Sequence, residues 1–151
     1  MGNVIDKSTQ LTIFETIRDS LLSNSVISSK FSQSDFYQWE PKLKGAGTKV
    51  PYIVIKIPTT STEFVVIDHD NRLKELSVEL IMVLDYEARD NFITYANAII
   101  NQFESTTTTF EGVGYYNSRI DLESNVGEII DQKDVVTGTF SLMFNGWVNR
   151  S

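Results

Sequence analysis

ELSVELIMVLDYEARDNFITYANAIINQF, residues 75–103, changes its hydrophobic period part-way along. Up to Tyr86 the repeat is two: Leu76, Val78, Leu80, Met82, Leu84 and Tyr86 share one face of an extended chain, with Ser77, Glu79 and Asp85 on the other. Ile81 and Val83 interrupt that polar face, so both sides are partly covered and the segment reads as a central strand. After Asp85 the repeat lengthens. Phe92, Ile93, Ala96, Ile99, Ile100 and Phe103 then form a stripe, with Asp90, Asn91, Thr94, Asn97 and Asn101 mostly outside it, which predicts a helix over about residues 88–104. The threonine run after Ser105 ends it.

Outward from this centre the pattern is simpler. TQLTIFETIRDSLLSN (9–24) sets Leu11, Phe14, Ile17, Leu21 and Leu22 on one stripe, predicting a helix over about residues 10–23, capped by Thr9 or by Thr12 with Glu15. VPYIVIKIP (50–58) is β-branched and bracketed by Pro51 and Pro58, a strand with its prolines near the ends. EFVVID (63–68) is a second strand, and HDNR (69–72) a turn. GVGYYNSRIDL (112–122) reads as a weaker strand. DVVTGTFSLMFNGWV (134–148) alternates cleanly, with Val136, Gly138, Phe140, Leu142, Phe144 and Val148 on one face and Thr137, Thr139, Ser141 and Asn145 on the other. The expected fold is α+β: a mostly antiparallel β-sheet with two helices packed on one face. A single domain over residues 1–151 is expected, with a long loop at 24–49 and an acidic loop or hairpin arm at 121–134.

Composition bounds the chemistry. The chain has 151 residues, 41% hydrophobic and 22% charged, ordinary for a globular domain. It has no cysteine, which excludes disulfides, thiolate catalysis and cysteine zinc sites. MGNVIDKSTQ (1–10) has no basic segment leading into an apolar core, and Asp6 stands where a myristoylation signal needs Ser or Thr. A cytoplasmic protein without membrane attachment is therefore expected. The net charge of −7 argues against a grip on nucleic-acid phosphates. That charge is polarised: residues 1–62 hold 5 acids and 7 bases, net +2, and residues 63–151 hold 15 acids and 6 bases, net −9.

No catalytic set assembles from these residues. His69 is the only histidine, and Asp68, His69 and Asp70 read as turn chemistry ahead of a divalent-metal site. Glu40 and Lys42 mimic the acid and lysine of some metal-dependent nucleases but lie in a proline-containing loop without a rigid support. GVG (112–114) lacks the rest of a dinucleotide site, and GAGTK (45–49) is not a phosphate loop. No cofactor and no metal are expected.

Two segments suit contact with other protein. Phe31, Phe36, Tyr37 and Trp39 interleave with Lys30, Lys42, Lys44 and Lys49, a mixture that anchors protein interfaces or stacks on single-stranded bases. Asp121, Glu123, Glu128 and Asp131 form an acidic arm opposed only by Lys133 among its near neighbours. If copies associate head to tail, this arm would meet the basic loop of a neighbour and close a ring or grow a filament.

The order of LTIFETIRDSLL, VPYIVIKIP, ELSVELIMVLDYEARDNFITYANAII and GTFSLMFNGW resembles the tail terminator proteins of long-tailed bacteriophages, including the lambda-type terminator. The likeness covers most of the chain as a pattern of elements and lengths. It implies a non-enzymatic virion protein, assembled in the host cytoplasm, that forms a hexameric ring on the tail tube. Such a ring stops polymerisation of the major tail protein and offers a surface to the head connector, with DNA passing through its lumen unbound. Other expectations are a different neck or head-completion protein, a nucleic-acid-binding accessory protein using the aromatic and basic residues of 30–49, and last a metal-dependent hydrolase using Asp68, His69 and Asp70.

Overall fold

The computed structural model describes residues 2–39, 50–65, 71–105, 117–130 and 133–149. In chain order these form β1 (Gly2–Val4), α1 (Lys7–Leu22), α2 (Ser25–Ser28), a 3-10 turn (Gln33–Asp35), β2 (Phe36–Tyr37), β3 (Tyr52–Lys56), β4 (Thr60–Val65), β5 (Asn71–Asp85), a second 3-10 segment (Tyr86–Asn91), α3 (Phe92–Ser105), β6 (Asn117–Ile130) and β7 (Lys133–Asn149). The chain is α+β, a mixed and mostly antiparallel sheet with helices packed against it. Its one parallel pairing among the described strands is β2 with β3.

β5 organises the sheet, as its two-sided hydrophobicity requires. Along one edge it pairs with β7 over its whole length, from Asn71 opposite Asn149 to Asp85 opposite Val135. The other edge is shared end to end: β4 takes Arg72 to Glu75 and β3 takes Glu79 to Val83. The body is thus four strands deep, β6, β7, β5 and the rank of β3 with β4. Short β2 and β1 extend that last rank outward.

The helices lie over one face. Ile13, Phe14, Ile17 and Leu21 of α1 and Phe92, Ala96, Ile99 and Phe103 of α3 bury against Ile53, Ile55, Leu76, Val78, Leu80, Met82, Leu84, Val136, Phe140, Leu142 and Phe144. The alternation read in β5 and β7 therefore marks the core face. On the reverse face Tyr52, Val54, Val83 and Val135 form a smaller apolar cluster, with Ile81 half-buried against it.

Several boundaries shift for local reasons. α1 starts at Lys7 because Asp6 caps it, its carboxylate accepting the Thr9 N–H at 2.8 Å. Neither Thr9 nor Thr12 is the cap. The expected second helix is divided: residues 86–91 form the tighter 3-10 turn, and the α-helix begins at Phe92. Ile93, expected on the buried stripe, is 61% exposed. At about 100° per residue it sits roughly 90° from the centre of the stripe set by Phe92, Ala96, Ile99 and Phe103. The expected loop at 24–49 holds α2, a 3-10 turn and β2 in its described part, and the acidic arm is strand through Ile130, joined to β7 across residues 131–132.

Phe92 fixes how α3 meets the sheet. Its ring lies on Gly138 of β7, so closely that a Cβ built there would stand 2.8 Å and 2.9 Å from two of the ring carbons. A glycine in the middle of a long strand is accounted for by that approach.

Candidate interaction groove

Helix α1 and the chain after β2 enclose a pocket of about 340 Å³, lined by Lys7, Gln10, Leu11, Gln38, Trp39 and Ile57. Each wall is held by local structure. Gln10 Nε2 donates to the carbonyls of Ile5 at 3.3 Å and Pro58 at 3.5 Å, while the Ile5 N–H donates to the Thr59 carbonyl at 2.7 Å. The first turn of α1 is thereby clamped to the connection between β3 and β4, beside Ile57. The opposite wall is anchored by Phe36, whose strand partner is Ile53. The turn before it is closed by the Asp35 carboxylate, which accepts the Ser32 N–H at 2.8 Å.

Trp39 is 66% exposed and Leu11 46% exposed, so two large apolar side chains face solvent beside one concavity. Lys7 carries the one charge among the lining residues, at the N-terminal end of α1 where the helix dipole is also positive. The neighbouring Asp6 carboxylate is engaged by Thr9 N–H and by Ser8 Oγ at 3.1 Å. The backbone hydrogen bond from Thr9 is the largest cause holding its pKa below the ordinary aspartate value, followed by the hydroxyls of Thr9 and Ser8. The groove is largely apolar, with Trp39 as its aromatic wall and Lys7 as the one charge in its lining. It brings together no nucleophile and general base.

The aromatic segment divides in two. Phe31 and Phe36, expected at a contact surface, are core residues instead, Phe36 only 6% exposed, with their rings 6.3 Å apart and Tyr95 edge-on to Phe31 at 6.1 Å. Base stacking through either ring is thereby removed. Tyr37 is half-buried and packs edge-on against Tyr52 of the reverse-face cluster at 5.8 Å. Trp39 alone of the four is exposed. Lys42, Lys44, Lys49 and Asp131 lie outside the described residues, as do Glu40, the 45–49 and 112–114 glycine segments, and Asp68, His69 and Asp70. Strand register sets Asp121 opposite Ser141, Glu123 opposite Thr139 and Glu128 opposite Val135.

Leu11, Lys7, Gln10, Gln38 and Ile57 were not singled out as partner residues by sequence. Leu11 had been expected in the core. The buried stripe of α1 takes in Ile13 and Ser20 beside Phe14, Ile17 and Leu21, and Leu11 falls roughly 120° from its centre. An exposed leucine one helical turn from the N-cap was the available signal.

Among the described residues no group of three or more acidic or histidine side chains is placed to hold a metal ion, and no helix is long and apolar enough to cross a membrane. No protein-family model matches the chain, and no curated protein matches it significantly.

Proposed function

We propose that this chain is a structural virion protein, a tail terminator that forms a ring at the end of a phage tail tube, stops tube polymerisation and joins the tail to the head connector. The observation that carries this reading is the exposed Trp39 beside Leu11 and Lys7, a built surface for protein contact. The order of elements that supports the resemblance also exists as structure: α1, β3 after its proline, β5 running into α3, and β7 as the last long strand.

The reverse face of the sheet suits a lumen that DNA crosses without sticking. Glu79 and Asp85 are exposed there and Glu75 half-exposed. Lys56 pairs with Glu79 on this face at 3.6 Å, so repulsion of phosphates rests on Glu75 and Asp85.

Imaging by negative stain and native mass spectrometry, with the protein alone and mixed with purified tail tubes, tests the proposal. A discrete ring capping tubes of defined length is expected. Tubes that elongate normally in its presence, with no ring on them, refute it. Glu75→Gln with Asp85→Asn tests the lumen separately: unchanged DNA ejection would refute the repulsive face.

A further inference from the structure

We draw no further inference here: the strongest candidate, the largely apolar pocket between α1 and the chain after β2 walled by Leu11, Trp39 and Ile57, carries nothing because nothing in the structure shows what covers it.

Discussion

Replacing Gly138 by alanine tests the packing of α3 on the sheet. The added Cβ would lie 2.8 Å from Phe92 Cζ and 2.9 Å from Cε2, whereas ordinary contact begins near 3.4 Å, so the ring has to retreat by about 0.6 Å. Phe92 is buried in the main core cluster, where close packing leaves little room for that movement. Overpacking of this kind costs about 1–3 kcal/mol. Alanine recovers about 0.5–1 kcal/mol relative to glycine inside a strand. The expected net loss is about 1 kcal/mol, or roughly 2–4 °C in Tm for a chain of this length.

The Phe92→Leu background removes both crowded ring carbons. There Gly138→Ala should stabilise by about 0.5–1 kcal/mol, since only the backbone gain remains. The cycle formed by wild type, the two single variants and the double variant should therefore show a coupling of roughly 1.5–2 kcal/mol in urea and thermal unfolding, a size reached only by residues in contact. Equal shifts for Gly138→Ala in the two backgrounds, or a higher Tm in the wild-type background, would refute the account of why glycine stands at this position.

Three further outcomes are expected. Asp6→Asn keeps the N-cap of α1 but removes its titration. Because the folded carboxyl has a lowered pKa, its contribution is fully present above the ordinary aspartate value and is lost as pH falls through the folded value. Wild type should therefore lose stability relative to Asp6→Asn only in acid; parallel curves of Tm against pH would show that the cap carries no charge-dependent stability. Gln102→Ala removes donors to Ser20 Oγ at 3.2 Å and Ser23 Oγ at 3.1 Å, which tie the end of α3 to the junction of α1 and α2. It should cost about 1 kcal/mol, seen as a lower urea midpoint at unchanged slope. Lys56→Ala breaks a 3.6 Å ion pair with Glu79 whose partners are both well exposed, and should change stability by less than about 0.5 kcal/mol in a salt-independent manner at 0.5 M NaCl or above. A shift of several degrees in Tm would make that pair structural.

What was legible in sequence followed burial on the strands. A period of two over a long run leaves little freedom, so Leu76 to Leu84 of β5 and Val136 to Phe144 of β7 are legible as core faces, although the strand stops before Tyr86, and Ile81 and Val83 mark a second covered patch. Helical stripes were less decisive. In α1 the apolar residues span more than one face, and burial of Ile13 and Ser20 beside Phe14, Ile17 and Leu21 turns the stripe away from Leu11, which lines the groove instead. Phe31 and Phe36 were misplaced because no period connects them. What buries them is a turn closed by Asp35 and a two-residue parallel pairing to β3, a long-range contact that a single-sequence pattern does not carry. The groove is hidden for the same reason: Trp39 and Leu11 are 28 positions apart in sequence, and only the tertiary fold brings them to one pocket.

The proposed ring also constrains symmetry. A two-fold dimer uses the same patch on both partners and stops at two copies, whereas a head-to-tail contact leaves one surface open at each end, so association continues until the rotation between copies closes on itself or a filament grows. Both forms bury the same contact per subunit. They differ in how mass responds to concentration: a closed ring keeps one mass once formed, while an open chain lengthens as protein is added. Sedimentation of the wild-type chain across a hundredfold range of concentration therefore separates closure from open growth, and steadily rising mass would rule out a terminator that stops at one ring.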